Sequence, residues 1–335
     1  MIPPLAVAMG DPAGVGPEIV AKAWMARGVH SLTPFFVVGD MQAISAVWDG
    51  PVAAIDRPQE AAAVFATALP ILTVHNSGNT VPGKPDTEGA RCALQSLETA
   101  VGLTRSGAAG ALITGPVSKA RLYDIGFTHP GQTEFVAERC GVSRDNAVMM
   151  LAGPTLRVVP ITTHVPLASV HDLLTTELVA AKGRATARGL IRNFGISRPR
   201  LAFAGFNPHA GESGAIGQEE IDVIAPAIAR LRDEGIDATG PFAADTMFHP
   251  RARANFDAAL CPYHDQALIP IKTLHFDEGV NMTLGLPIVR TSPDHGTAFG
   301  IAGTNQAEPG AMIAALRLAA SAAERRSEAL ASRDK

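Results

Sequence analysis

The sequence predicts an α/β protein built on a mostly parallel sheet. Short apolar runs rich in Val, Ile and Leu alternate with longer segments of helical periodicity, which is the pattern of consecutive strand–helix–strand units. Hydrophobic residues make up 47% of the 335-residue chain, whereas aromatic residues make up only 5%. Such an aliphatic core suits helices packed against a parallel sheet. The length allows two domains or one large unit.

The strands and helices follow from these runs. Branched apolar segments predict strands at residues 5–9, 35–39, 71–75, 111–114, 156–162, 201–206 and 258–261. Apolar periodicity predicts helices at residues 17–27, 89–105, 176–193, 218–234 and 310–326. Pro226 predicts a kink in the fourth helix. Because no Ser/Gly linker separates two halves, we expect the chain of a two-domain protein to cross between its domains more than once.

Charge and cysteine content exclude several classes of protein. The net charge is −4 and no long basic run occurs, which argues against nucleic acid or a membrane surface as a partner. Three cysteines lie far apart, so they form neither a disulfide framework nor a CxxC metal site. The N-terminus lacks the basic and apolar regions of a secretion signal. No apolar run approaches the roughly 20 residues of a membrane helix. We therefore expect a cytoplasmic protein.

The first predicted strand leads into a glycine-containing loop, MGDPAGVGPE at residues 9–18. Its three glycines allow a tight turn, Pro17 suits the first position of a helix, and Glu18 suits the positive end of the helix dipole. The loop is not a GxGxxG fingerprint, so a Rossmann nucleotide site is not indicated. An architectural turn and a ligand loop are equally consistent with this pattern.

Three predicted strands are each followed by a histidine, namely His164, His209 and His264. The carboxyl edge of an open α/β sheet is where such folds bind ligands. A single histidine of this kind is more often structural, but three in equivalent positions are as consistent with a divalent metal site. Asp265 beside His264, and Asp245, are carboxylates that would orient an imidazole, bind the metal or serve as ordinary surface acids.

Two cations stand in apolar surroundings further along the chain. Lys272 and Arg290 lie in the segments HDQALIPIK and GLPIVR, where an unpaired charge would be expensive. Internal ion pairs explain them. A clamp on a phosphate or carboxylate explains them equally well, with Asn281 adding hydrogen bonds.

Taken together, five segments resemble the 4-hydroxythreonine-4-phosphate dehydrogenase family of vitamin B6 synthesis. They are MGDPAGVGPEI, ITGPVSK, NPHAGE, YHDQALIPIK and GVNMTLGLPIVRTSPDHGTAF, and the resemblance covers essentially the whole chain. It implies a fold of the isocitrate/isopropylmalate dehydrogenase type with two α/β/α domains. Residues 1–130 with about 275–335 would carry the cofactor region, and about 131–274 the metal ligands. The active site would lie in the cleft between them.

The resemblance also implies ligands and residue roles. A divalent metal (Zn, Mg or Co) would bind His164, His209 and His264, with ligands from both subunits of a homodimer. Substrate contacts would come from Gln132, Thr133, Lys272, Asn281 and Arg290. NAD or NADP would contact His295, Gly296, Thr297 and Ala298. Asp245 and Asp265 are the candidate proton acceptors, and the sequence does not rank them.

One position departs from the family pattern. Gln132 stands where the family usually has a substrate-contacting histidine. Glutamine donates and accepts hydrogen bonds but does not titrate near neutral pH. If that histidine only positions the substrate, activity survives with altered affinity. If its proton is used, activity is impaired or directed to another substrate.

The resemblance implies a specific reaction with two alternatives. The reaction is NAD(P)-dependent oxidation of 4-hydroxythreonine 4-phosphate, followed by decarboxylation to 3-amino-2-oxopropyl phosphate in pyridoxal phosphate synthesis. One alternative is a dehydrogenase of the same fold that acts on a phosphorylated threonate or a cyclic dihydrodiol carboxylate. The other is a non-catalytic metabolite-binding protein. The choice of metal stays open, because three imidazoles suit several divalent ions. The choice between NAD and NADP stays open, because no acid follows a Rossmann fingerprint here.

Overall fold

The computed structural model describes residues 2–75, 77–78 and 80–332. In chain order, the strands of this part are β1 (Leu5–Ala8), β2 (Phe35–Gly39), β3 (Val52–Ala54), β4 (Leu69–Thr73), β5 (Leu112–Thr114), β6 (Val148–Ala152), β7 (Arg157–Pro160), β8 (Arg200–Ala204), β9 (Asp237–Phe242), β10 (Ala258–Cys261), β11 (Val280–Leu284) and β12 (Arg290–Pro293).

The α-helices are α1 (Gly16–Met25), α2 (Met41–Ser45), α3 (Ala61–Val64), α4 (Thr87–Arg105), α5 (Lys119–Asp124), α6 (Gln132–Arg139), α7 (Val170–Leu173), α8 (Thr176–Phe194), α9 (Ala225–Asp233), α10 (Ala244–Met247), α11 (Pro250–Arg253), α12 (His264–Leu274) and α13 (Gly310–Ala331). A π-helical turn, Glu220–Ile224, precedes α9. None of the helices in the described part of the chain combines the length and apolar character needed to cross a membrane.

The chain divides into two compact units, and the first contains the residues up to Gly141 and those from Pro287 onward. Its strands follow the order β3-β4-β2-β1-β5-β12, and all neighbours are parallel. Every residue of β1 and β2 is buried, which is typical of a parallel sheet covered on both faces. Helices α4 and α13 pack against these strands, and the Thr291 hydroxyl donates to the Ala315 carbonyl oxygen to tie β12 to α13.

The second unit, Val142–Leu286, holds the strands that precede the three histidines. Its strand order is β11-β6-β7-β10-β8-β9, in which β6 pairs antiparallel with both β11 and β7. The strands β7, β10, β8 and β9 run parallel to one another. The carboxyl ends of β7, β10 and β8 therefore lie next to one another at one edge of the sheet.

Helix α12 is anchored on this second sheet by its apolar side chains. Ala267, Leu268 and Ile271 are buried and pack in one cluster with residues such as Val158 of β7 and Ala259 of β10. This packing fixes the direction of α12, and hence the position of its first residue, at the carboxyl edge of the sheet.

The α/β class with mostly parallel strands is confirmed, but several boundaries differ from the prediction. The predicted domain boundaries near 130 and 275 contrast with unit boundaries after Gly141 and Leu286, which assign α6 to the first unit and β11 to the second. The strands β3, β6, β9, β11 and β12 were not predicted. In β6 and β11 the reason is that VMMLA and VNMTL lack a run of branched residues.

The predicted fourth helix and the C-terminal helix also differ in detail. Instead of a kinked helix over 218–234, the chain forms the π-helical turn and then α9. Pro226 is the second residue of α9, directly after the π-helical turn, and has no N–H to donate to a carbonyl oxygen of that turn. The last helix continues to Ala331, beyond its predicted end at 326.

Candidate functional site

The three predicted metal-binding histidines follow three neighbouring parallel strands. His264 is the first residue of α12, three residues after the end of β10. Since β7 ends at Pro160 and β8 at Ala204, His164 and His209 stand in the loops beyond these strands rather than at their ends. Both have positive φ angles, +53° and +52°. The loops, not the strands, therefore determine where these two imidazoles lie.

Two of the three imidazoles lie together at a cavity. The rings of His164 and His264 have centroids 5.6 Å apart and an interplanar angle of 44°. The cavity has a volume of about 210 Å³, and Thr162, Tyr263, Asp265 and three apolar side chains complete its lining. Two imidazoles that bind one tetrahedral ion at about 2.1 Å would have ring centres about 5.3 Å apart. The observed separation therefore fits a shared divalent cation.

Asp265 orients one of these rings. Its Oδ1 lies 2.7 Å from Nδ1 of His264. A carboxylate only accepts hydrogen bonds, so Nδ1 carries the proton and the lone pair of Nε2 is left for a metal. Carboxylate partners of this kind are usual behind metal-binding histidines.

His209 does not complete a metal site within one chain. Among the described residues, no three His, Cys, Asp or Glu side chains form a group that could hold a metal ion. The imidazole of His209 is exposed to solvent on its own turn. The structure thus pairs His164 with His264 and leaves the third predicted ligand outside this pair.

The turn that carries His209 is left-handed. Five consecutive residues, from His209 to Ser213, have φ angles of 52°, 52°, 77°, 45° and 56°. Only Gly211 among them adopts such angles without cost, and each of the other residues is strained by roughly 1–2 kcal/mol. Strain of this kind persists where the surrounding structure enforces it, and it concentrates at functional sites.

A second cluster of predicted residues lies in the first unit, around Arg290. This guanidinium is 3% exposed, and it donates hydrogen bonds to the hydroxyls of Thr114 (2.7 Å) and Thr133 (3.3 Å). Burial lowers the pKa of Arg290 to about 10, while Glu134 acts in the opposite direction. The group stays charged at neutral pH, so the cluster is suited to an anion.

Gln132 and Thr133 begin α6 beside Arg290. The side-chain Nε2 of Gln132 donates to the carbonyl oxygen of Gly115 at 3.1 Å. The structure therefore brings together Gln132, Thr133 and Arg290 among the predicted substrate contacts.

The other two predicted substrate contacts belong to the second unit. Lys272 is on α12, two turns beyond His264, and its Nζ lies 5.5 Å from the ring centroid of Phe276. Asn281 is on β11, and its Oδ1 is buried without a hydrogen-bond partner among the described residues. A buried acceptor in this state is expensive, which suggests that a ligand donates to it.

The two candidate proton acceptors differ in their surroundings. Asp265 contacts His264, and its side chain is 73% exposed. Asp245 is exposed on the short helix α10.

The predicted cofactor loop follows β12 and rests on the first glycine loop of the chain. His295, Gly296, Thr297 and Ala298 form it, and Ala298 has a φ of +45°. The amide of Val15 donates to the Thr297 carbonyl oxygen at 2.9 Å. A Cβ at Gly14 would come within 2.9 Å of that oxygen. The first loop therefore has an architectural role, which is to support residues 295–298.

Asp11 organises this first loop from a buried position. Its side chain is 2% exposed, and its Oδ1 accepts a hydrogen bond from the Ala13 amide at 3.0 Å. Burial is the main cause that raises the pKa of Asp11 to about 6. This carboxylate was not among the predicted site residues, although an acid before Pro-Ala-Gly is a signal for an Asx turn.

Known proteins of similar sequence cover almost the whole chain. A family model described as pyridoxal phosphate biosynthetic protein PdxA matches residues 31–319. The 4-hydroxythreonine-4-phosphate dehydrogenase of Zymomonas mobilis is 58% identical over 323 residues, which are 96% of this chain and 96% of that protein. Its namesake from Erythrobacter litoralis is 55% identical over 331 residues, 97% of this chain and 98% of that protein. These similarities confirm the family resemblance that the motifs predicted.

Solved structures agree with this assignment. The crystal structure of 4-hydroxythreonine-4-phosphate dehydrogenase from Klebsiella pneumoniae is 36% identical, with a TM-score of 0.86 over 96% of this chain and 98% of that chain. A terephthalate 1,2-cis-dihydrodiol dehydrogenase from Burkholderia xenovorans is 30% identical, with a TM-score of 0.67 over the same shares of the two chains.

The buried carboxylate of Asp11 predicts a pH dependence of stability. Because its pKa rises from 3.8 to about 6 on folding, the folded state binds the proton more tightly than the unfolded state. The contribution of this group to the free energy of unfolding is therefore greatest below pH 4 and falls as the pH rises to about 6. Above that pH it is constant, and the charged carboxylate lowers the free energy of unfolding by up to about 3 kcal/mol. Asp11→Asn keeps an oxygen for the Ala13 amide and removes the charge.

Urea unfolding of both proteins between pH 4 and pH 7 measures this effect. The free energy of unfolding of Asp11→Asn, relative to the unsubstituted protein, should increase across this range and level off above pH 6. An equal pH dependence of the two proteins would show that the carboxylate is not desolvated as described.

Proposed function

Because the chain belongs to the family of pyridoxal phosphate biosynthetic proteins PdxA, we propose that it oxidises 4-hydroxythreonine 4-phosphate with NAD or NADP and a divalent metal. The oxidised product then loses CO2 to yield 3-amino-2-oxopropyl phosphate, in the synthesis of pyridoxal phosphate. The observation that carries this proposal is the pair of imidazoles, His164 and His264, at a cavity on the carboxyl edge of the sheet. The names of the relatives supply the substrate.

A divalent cation such as Zn, Mg or Co would be held by His164, His209 and His264. We infer that a second copy of the chain supplies part of this set, because one chain pairs only two of the three imidazoles. The proposed enzyme is thus a homodimer of the cytoplasm. When bound, the cation supplies a Lewis acid that stabilises negative charge on the substrate oxygen.

The protein's own carboxylates would divide two tasks. Asp265 holds the Nδ1 proton of His264 and so keeps that ring in the tautomer that binds a metal. This engagement favours Asp245 over Asp265 as the group that accepts the proton of the substrate hydroxyl.

The predicted substrate contacts would anchor the phosphorylated substrate. Arg290 with Thr133 offers a fixed, buried cation and a hydroxyl to an anionic group, and Gln132 adds an amide. Lys272 adds a second positive charge, and the buried Oδ1 of Asn281 accepts from a substrate hydroxyl or amine. Binding energy from groups remote from the reacting carbon lowers the barrier when it orients the substrate.

The nicotinamide cofactor would accept the hydride, with residues 295–298 in contact with it. This loop is exposed and has a defined backbone, since the first glycine loop supports it. A loop with accessible backbone groups at this position is suited to bind a nucleotide without a GxGxxG sequence.

A second candidate substrate is a cyclic dihydrodiol carboxylate. It is favoured by one observation, the glutamine at position 132 in place of a titratable histidine. The relative named terephthalate 1,2-cis-dihydrodiol dehydrogenase shares the fold over most of its length. Against it stands the pairing of Thr133 with the buried cation of Arg290, which suits a phosphate.

An assay of purified protein with three substrates tests the proposal. We expect reduction of NAD or NADP with 4-hydroxythreonine 4-phosphate at a kcat/KM at least ~100-fold above that with phosphorylated threonate or a dihydrodiol carboxylate, since unpaired polar groups penalise the wrong substrate. Absorbance at the wavelength of the reduced cofactor is the readout, with Zn, Mg and Co supplied in turn. Thermal stabilisation by the substrate without cofactor reduction would instead indicate a non-catalytic binding protein.

The metal proposal predicts a specific effect of His209→Ala. The variant should lose more than ~90% of its bound zinc after dialysis, because a three-imidazole site loses one ligand. Metal content per chain is measured directly, and His30→Ala, which removes an exposed histidine of the first unit, serves as the matched control. If His209→Ala keeps both its metal content and its turnover, the metal site is elsewhere.

A further inference from the structure

The left-handed turn that carries His209 is held by a buried carboxylate of the following helical segment. We propose that Glu220 is a positioning residue, whose carboxylate fixes Asn207 and thereby sets the turn that presents His209 to the metal. This inference rests on the proposed function, in which His209 binds a divalent cation. It assigns to Glu220 no contact with metal or substrate.

The contacts of Asn207 show how the turn is held at its start. The Asn207 backbone amide donates to Oε1 of Glu220 at 2.7 Å. Its side-chain Nδ2 donates to Oε2 of Glu220 at 2.9 Å and to Oε2 of Glu219 at 2.6 Å. All three N–H donors of Asn207 are therefore satisfied by two carboxylates. The backbone and the side chain of Asn207, which lies two positions before His209, are thus both restrained.

The glycines around Glu220 show how closely the turn is built over its carboxylate. A Cβ at Gly211 would lie 2.6 Å from Oε2 of Glu220, and a Cβ at Gly205 would lie 3.1 Å from Oε1 and 2.8 Å from Cα of Ala210. Gly211 also has a φ of +77°. The carboxylate is therefore enclosed by the backbone of the turn itself, which explains how it enforces strained φ angles.

Glu220 differs in this respect from the neighbouring acids. It is 3% exposed, and both of its oxygens face Asn207. Glu219 reaches Asn207 with one oxygen, and its other oxygen lies 2.8 Å from Nδ1 of the exposed His171. Asp222, in the same π-helical turn, is exposed to solvent. The charge that lies inside the turn is thus that of Glu220.

The π-helical turn contributes to the position of the Glu220 carboxylate next to Asn207. Glu220 is its first residue, and Ile224, its last, is buried. A π-helical turn contains one residue more than the α-helical ladder requires, so it shifts the side chains before it relative to those that follow. Such turns occur frequently at functional sites.

Glu220→Gln is the informative substitution, since it keeps the size of the side chain. Its single amide oxygen can accept only one of the two hydrogen bonds, and its NH2 group must face the remaining N–H of Asn207. One buried donor is left unsatisfied, and the turn is expected to relax from its left-handed form. The exposed Asp222→Asn makes the same chemical change without entering the turn.

The experiment measures zinc binding to metal-free full-length protein by competition with a chromophoric chelator. We expect Glu220→Gln to raise the apparent Kd for zinc 10- to 100-fold, the range usual for residues that orient a ligand. Asp222→Asn should stay within twofold of the unsubstituted protein. Thermal unfolding of the metal-free proteins, recorded alongside, reports whether the fold itself has changed.

A double variant separates positioning of His209 from other effects. In a His209→Ala background, Glu220→Gln should change the Kd by less than twofold, because its effect acts through that imidazole. An equal loss in both backgrounds overturns the inference. The inference is also overturned if Glu220→Gln binds zinc as tightly as the unsubstituted protein while His209→Ala loses the metal. If His209→Ala itself binds zinc normally, it is the proposed function that fails.

Gly211→Ala provides a second route to the same result should Glu220→Gln fail to fold. It keeps the glutamate at position 220 and displaces its carboxylate from the turn through the new Cβ, which would lie 2.6 Å from Oε2. We expect a comparable loss of zinc affinity, and an unchanged affinity in a folded Gly211→Ala protein contradicts the inference.

Discussion

The parallel pairing of β10 between β7 and β8 is the constraint on which the candidate site depends. Residues 259–261 pair in register with 158–160, and residues 258–260 with 201–203. Because parallel neighbours end at the same edge of a sheet, the loops after these strands begin side by side. Helix α12, packed on this sheet by Ala267 and Ile271, brings His264 to the same edge. The binding of a cation at this edge would therefore depend on the backbone hydrogen bonds between these strands, which precede the histidines by several residues.

Each unit maintains features that stability alone would disfavour. The turn at His209 has a left-handed backbone, Arg290 is a buried cation, and Asp11 is a buried acid with a raised pKa. Each is held by close neighbours: Glu220 holds the turn, Thr114 and Thr133 accept from the guanidinium, and the Ala13 amide donates to Asp11. A fixed charge or a strained turn costs energy in folding and avoids reorganisation when a ligand binds.

Sequence patterns predicted the α/β architecture, because β-branched runs and helical periodicity report directly on burial. They placed the three histidines after the strands that precede them, but His164 and His209 lie in the loops beyond β7 and β8 rather than at the strand ends. The strand patterns did not find β3, β6, β9, β11 or β12. Of these, β6 and β11 carry Met or Asn where a run of branched residues would have signalled a strand. The left-handed turn, the π-helical turn and the buried state of Glu220 were also missed. Each arises from contacts between segments, here Asn207 with Glu219 and Glu220, which no local pattern encodes. Two adjacent acids at the start of a predicted helix were the one available signal.

The central claim is that His164, His209 and His264 bind one divalent cation in this member of the PdxA family. Anomalous diffraction at the zinc absorption edge, from crystals of the zinc-loaded protein, tests it most directly. We expect one strong peak per chain within about 2.0–2.2 Å of a nitrogen of each imidazole, with ligands from two copies of the chain. A peak bound by other residues, or three histidine rings that do not meet even across neighbouring copies, would contradict it.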